Sequence, residues 1–262
     1  MLNRRCTQRQ FLLRPDDEMN NAFLYCLIEA AQKFDIVLLL SQMMSNHQHT
    51  PFFDPKGLAI EFTHRFHTHL AKCVNAHRGR WGNMWSTEPS CLVELVDADD
   101  VVDKLIYTAS NPVKDGLVEK VHHWPGPKTV HALLEGRTLK ATRPRFLFRD
   151  DGPMPDEVEM TLAIPKEVGD HDEIIARVRA GIAAVEDECA RERAKNNRRI
   201  LGRRRVLRQS CATAPRLTNR DADSARASPR VASGRGSKRC RGTRSSRSTT
   251  AKPVRAGYPE HR

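Results

Sequence analysis

Two pairs of side chains in this chain carry donor atoms at spacings that chemistry can use. His47-Gln48-His49 sets two imidazoles two residues apart, and in a β-strand residues i and i+2 share a face, so both rings could address one metal ion. On spacing alone the pair reads first as two ordinary polar residues at a strand end, because eleven histidines in 262 residues make such a repeat easy to obtain. Tyr107 and Asn111 are four apart, which on a helix puts phenol and amide on one face. Tyr107 lies off the apolar side formed by Val102, Ile106 and Ala109, on the stripe with Asp103. The helix pattern by itself is equally met by a half-buried tyrosine covering the helix.

The elements that must position these groups follow from hydrophobic period. Asp16, Asp17 and Glu18 suit a helix N-terminus, and Met19, Ala22, Phe23, Cys26, Leu27, Ala30, Ala31 and Phe34 recur at three- and four-residue spacing, which predicts a core-facing helix over 15–34. The apolar run DIVLLLSQMM, residues 35–44, predicts a buried strand continuing through His47 and His49 towards Phe52. Phe62, Phe66, Leu70 and Cys73 mark a second helix that ends near HRGRWGNMW. His64, His67, His69 and His77 ride that helix and read as surface or DNA-facing. CLVELV (91–96) predicts a strand, and Asp97 opens a third helix that Asn111-Pro112 should stop. Helix, strand, helix, strand, helix suits an α+β fold, a small antiparallel sheet with helices packed on it.

From residue 127 to 208 the chain reads as an extended arm with a hairpin, then a charged amphipathic helix over 170–196 and a basic run. Residues 209–262 hold thirteen of the 44 Lys and Arg but only three of the 32 Asp and Glu, so this segment carries +10 of the formal +12. Its only large apolar or aromatic residues are Leu217, Val231, Val254 and Tyr258, which predicts a disordered basic tail able to add salt-sensitive affinity for a polyanion. Seven cysteines without a C-x-x-C pair fit a reducing compartment, and the longest apolar stretch, Ile36 to Leu40, is too short to span a bilayer. A soluble protein of a bacterial cytoplasm, associated with the nucleoid, is the expected setting.

MMSNHQH resembles the MPNHxH signature of the histidine-hydrophobe-histidine (HUH) transposases, and LIYTASNPVKDGLVEKVHHWPG resembles the YIxxNPVRxGLVxxxxxWP signature of the same group. With RWGNMW standing for the Gly/Trp segment between them, residues 5–126 are similar to the REP-associated tyrosine transposases, relatives of the small insertion-sequence tyrosine transposases. The resemblance implies a ferredoxin- or RRM-like HUH domain over 1–126. It implies that His47, His49 and the Asn111 carbonyl hold one Mg²⁺ or Mn²⁺, and that Tyr107 is the nucleophile that cleaves and rejoins single-stranded DNA through a 5′-phosphotyrosine. A phenol titrating at about 10 needs a base, a metal field or a DNA group to react, and no base is identifiable in the sequence. The implied partner is hairpin-bearing single-stranded DNA, with a homodimer open to it and neither a membrane nor a nucleotide cofactor involved. Lys72, Arg78, Arg80, Trp81, Trp85, Lys114 and Lys120 are the candidates for DNA contact, Trp81 and Trp85 being equally suited to the core.

Three features depart from that pattern. Gln48 stands where an apolar residue is usual, at an expected cost of about 1–3 kcal/mol if its amide is unpaired. Ser45 replaces a proline and Thr50 an apolar residue. Cys6-Thr7-Gln8-Arg9 reads as what is left of a truncated first strand, with an exposed edge beside it. These changes leave open a catalytically inactive nucleic-acid-binding derivative, and a metal hydrolase without covalent catalysis is a further alternative.

Overall fold

A computed structural model of the chain describes residues 1–215. The tail expected from residue 209 therefore lies mostly outside the described residues, but its first part does not. Residues 209–213 pack back on the body: Phe11 N–H donates to Thr213 O (2.9 Å), Arg14 to Gln209 O (3.1 Å) and Ser45 Oγ to Gln209 Oε1 (3.3 Å).

The architecture is α+β. A four-stranded antiparallel sheet is built from β1 (Leu2–Arg5), β3 (Gln42–Met43), β4 (His47–Thr50) and β6 (Cys91–Leu92) in the order β3-β4-β1-β6. The two-residue strands β2 (Val37–Leu38) and β5 (Phe52–Phe53) pair separately. Around them lie α1 (Asp17–Lys33), α2 (Ala59–His77), α3 (Ala98–Lys114), α4 (Thr129–Glu135), α5 (His171–Lys195) and α6 (Arg203–Leu207). The hairpin of β7 (Thr138–Thr142) and β8 (Glu157–Thr161) packs against α1, and α5 lies along α3. Val158, Ile174, Ile182 and Val206 belong to the same apolar core as Phe23 and Phe66, so the arm and charged helix are part of one body.

The first strand is not the expected remnant at Cys6–Arg9. It lies upstream, at Leu2–Arg5, and it is paired on both sides, by β4 and by β6, so no edge is exposed there. Residues Thr7–Arg9 instead form a tight 3-10 turn in which Gln8 and Arg9 take left-handed backbone angles (φ 49° and 55°). The run 35–53 is likewise not one strand. Ser45 and Asn46 turn it, so that β3 and β4 pair as a hairpin with Gln42 opposite His49 and Met43 opposite Gln48. His47 thus begins its strand.

Asn111-Pro112 does not stop α3. The proline removes one backbone donor, yet the helix runs on to Lys114 because Pro112 and Val113 are buried and the turn closes through Asp115 N–H to Asn111 O (3.0 Å) and Leu117 N–H to Pro112 O (2.9 Å). Tertiary burial outweighs the local signal, and Asn111 stays in register one turn beyond Tyr107.

Alternation along β1 and β4 divides the sheet into two faces. Leu2, Arg4, Gln48 and Thr50 point towards α1 and α2, whose Phe23, Phe62 and Phe66 stack edge and face at 5.6 and 6.0 Å. Asn3, Arg5, His47 and His49 point the other way, under α3.

The polar departures on the buried face have partners. Gln48 is fully buried, with Oε1 2.6 Å from Thr50 Oγ1 and Nε2 3.2 Å from His67 Nε2; Thr50 in turn lies 2.7 Å from Ser41 Oγ, and His67 Nδ1 is 3.0 Å from Arg4 Nη1. Arg4 can only donate, so Nδ1 of the neutral His67 accepts and Nε2 carries the ring proton. A half-turn of the Gln48 amide offers its oxygen to that proton and its NH₂ to Thr50, which gives both ends of the amide a complementary partner. His67 is therefore buried rather than a surface residue, and its protonation is pushed well down by burial and then by Arg4 and His64.

Candidate active site

On the α3 face of the sheet the register sets Asn3 opposite His49 and Arg5 opposite His47. The two imidazoles are neighbours, with ring centroids 4.9 Å apart at 83°, and the Tyr107 ring meets His49 edge-on at 5.3 Å. All three line a cleft of about 460 Å³ together with Asn3, Arg5, Ser86, Glu88 and Lys104.

Each imidazole is oriented from behind. His47 Nδ1 lies 2.7 Å from Asn46 Oδ1, and the orientation of that amide is fixed because its NH₂ donates to Arg9 O (3.2 Å). The left-handed turn at Gln8–Arg9 is what presents that carbonyl. His49 Nδ1 is hydrogen-bonded to Asn3 Oδ1. An amide oxygen only accepts, so both rings carry their proton on Nδ1 and leave a lone pair on Nε2. His49 Nε2 is buried and has no hydrogen-bond partner. Protonation of both rings is disfavoured: burial pushes His47 well below its ordinary value, with His49, Arg5 and Arg9 adding to it, and burial followed by Arg5 lowers His49 to about 4. Two neutral imidazoles held by second partners, one with a buried lone pair that meets nothing, are chemically suited to offer lone pairs to a metal ion.

Tyr107 is 40% exposed, and its ring carries the Lys114 ammonium 5.3 Å from its centroid. Burial and then the negative charge of Asp115 raise the phenol, while Arg5 and a hydrogen bond from the Asn111 side chain oppose them. Asn111, itself buried, stands one turn beyond Tyr107 on α3. Among the described residues no three His, Cys, Asp or Glu side chains gather into a metal-sized cluster. Two imidazoles and one amide oxygen would suit Mn²⁺ well and Mg²⁺ adequately, with coordination positions left open.

The residues expected to contact DNA divide. Lys114 is at the site, and Trp81 is 95% exposed at the tip of the 79–82 loop, free to stack on a base. Lys120 is exposed, and Arg80 is half-buried near Cys6. Trp85 is a core residue: it is buried, donates to His67 O (2.9 Å) and carries Arg4 over its ring. Arg78 is structural as well, because its guanidinium is spent on Asp16 (2.6 Å) and Arg14 O (2.7 Å). Lys72 belongs to α2, which covers the opposite face of the sheet from the histidines, so it is not gathered at the cleft. Asn3, Arg5 and Asn46 were missed. Asn46 stands beside His47 in the sequence and could have been named, but Asn3 and Arg5 are visible only once the β1–β4 register is known.

No protein-family model, curated protein or solved structure matches the chain. Among the described residues no helix is long and apolar enough to cross a membrane.

Proposed function

We propose that this protein is a metal-dependent tyrosine transposase of the REP-associated kind, which nicks single-stranded DNA and rejoins it to another end. The reading is carried by one observation: a phenol set edge-on against a neutral, amide-oriented His49 whose buried Nε2 has no protein partner. The element order β1-α1-β3-β4-α2-β6 with sheet order β3-β4-β1-β6, antiparallel throughout, supports a ferredoxin-like HUH domain.

In this reading His47, His49 and Asn111 hold Mg²⁺ or Mn²⁺, which when bound supplies a Lewis acid at the scissile phosphate and at the departing 3′-oxygen. Tyr107 Oη attacks phosphorus. One P–O bond forms as another breaks, the 3′-oxygen leaves as a hydroxyl, and the 5′-phosphotyrosine keeps the bond energy for rejoining, so no nucleotide cofactor is required. Asn111, one turn along the same helix, draws the phenol pKa downward. Hairpin-bearing single-stranded DNA is the substrate class, with the exposed Trp81 as a stacking platform and a homodimer compatible with the scheme.

A catalytically inactive nucleic-acid-binding derivative is the second reading, favoured by the upward displacement of the Tyr107 phenol. Incubation with labelled hairpin-bearing single strands and Mn²⁺ separates the readings. Cleavage lost in Tyr107→Phe supports the transposase, retention of the DNA without cleavage supports the derivative, and cleavage that survives Tyr107→Phe indicates a hydrolase.

A further inference from the structure

Arg5 is an exposed cation at the centre of the candidate site that the donor set leaves unused. It faces His47 across the β1–β4 ladder, on the same side of the sheet as both imidazoles. It also lines two clefts, the one that holds Tyr107 and a second of about 530 Å³ walled by Arg9, Asn46, His47, Gln209 and Pro215. Arg5 and His47 are the residues that the two clefts share. Lys104, one turn before Tyr107 on α3, stands at the Tyr107 side of the first cleft. None of the carboxylate ion pairs among the described residues includes Arg5 or Lys104, although the Asp115 carboxylate lines the second cleft with Arg5.

A guanidinium outside any carboxylate ion pair is matched by an oxyanion, to which its planar fork can donate two parallel hydrogen bonds. We propose that Arg5, seconded by Lys104, is a phosphate-binding site that grips the non-bridging oxygens of a single-strand phosphodiester at the junction of the two clefts. The inference rests on the transposase reading for the source of the phosphate. Binding by Arg5 itself requires no metal, because the guanidinium is a permanent charge.

The test measures anisotropy of a fluorescein-labelled oligodeoxythymidine with the full chain in EDTA, over a range of salt. Arg5→Gln is expected to weaken binding about 5-fold or more and to reduce the slope of log K against log salt by about 0.7, the value for one phosphate contact on a single strand. Arg5→Lys restores the slope, Lys104→Gln lowers it in the same sense, and Lys140→Gln on the β7–β8 hairpin leaves it unchanged. An Arg5→Gln protein with unaltered affinity and slope overturns the proposal. So does an affinity loss at constant slope, or an unaltered protein that does not bind. A normal Arg5-dependent slope with no Mn²⁺-dependent cleavage would remove the transposase reading and leave the phosphate site standing. Cleavage that is Tyr107-dependent but indifferent to Arg5 would do the reverse.

Discussion

The two asparagines behind the histidines decide whether the imidazoles are ligands or merely neighbours. Asn46 and Asn3 each take a proton on Nδ1 and thereby present Nε2. Their replacement by alanine frees both the ring orientation and the tautomer, and Mn²⁺ affinity by calorimetry is expected to fall about 10- to 100-fold for either variant while the fold persists. Unchanged affinity in both would show that the rings bind no metal in this geometry. Protonation gives a second check. With its pKa lowered to about 4 by burial and then Arg5, His49 stays neutral through the range where an ordinary histidine gains its charge. Mn²⁺ affinity should therefore be flat from about pH 8 to about pH 5 and fall only below that, whereas a decline beginning near the ordinary value of about 6.5 would contradict the assignment. The same shift makes the native state less stable on acidification: below about 6.5 the unfolded chain takes up a proton that folded His49 refuses, and the loss accrues down to about pH 4.

At the scale of elements, the hairpin β3–β4 depends on a polar underside. Gln48→Val takes one partner each from His67 and Thr50, which keep only Arg4 and Ser41, and is expected to cost about 1–3 kcal/mol in denaturant unfolding. In the double variant Gln48→Val with His67→Phe, the loss should be clearly less than the sum of the two single losses, because the group stranded by one change is removed by the other. Strict additivity would mean that the chain from Arg4 to Ser41 is not a network. This part of the molecule also marks the limit of what sequence patterns disclose. The helices α1, α2, α3 and α5 could be read from spacing, since each spans several turns of a clear period. Strands of two residues have no period to detect, the turn at Ser45–Asn46 looked like a continuous apolar run, and Pro112 looked like a stop because the burial that holds the last turn comes from elsewhere in the chain. Trp124-Pro125-Gly126 had no assigned role. Trp124 Nε1 donates to Met43 O (2.9 Å), and a Cβ at Gly126 would lie 2.3 Å from that nitrogen, so the segment pins the edge of the histidine hairpin.

Across the whole molecule, the arm after residue 127 is clasped to the helical layer rather than appended to it. Tyr25 Oη donates to Pro155 O (2.6 Å), and Glu29, 7% exposed, receives Arg65 in a forked pair beside His69. Burial raises the Glu29 carboxyl, but the His69 ring 3.7 Å away and the hydrogen bonds and charge of Arg65 outweigh it and bring it down to about 2. Its contribution is thus complete above the unfolded value of about 4.5 and is lost as pH falls towards 2. Glu29→Gln, which leaves Arg65 without a counter-charge, is expected to lower stability by about 3 kcal/mol at pH 7 and to flatten the acid limb of the melting curve. An unchanged acid limb would exclude Glu29 as its cause. Of the candidate site, His47, His49, Tyr107 and Asn111 could be named from motifs, while Asn3 and Arg5 could not, because only strand register brings residues 3 and 5 to residues 49 and 47. The most direct test of the account is to digest the protein after reaction with a hairpin-bearing single strand and Mn²⁺ and to locate the attached nucleotide by mass spectrometry. The account expects a 5′-phosphodiester on Tyr107 and a free 3′-hydroxyl on the released fragment; attachment to another residue, or a 5′-phosphate with no protein linkage, would contradict it.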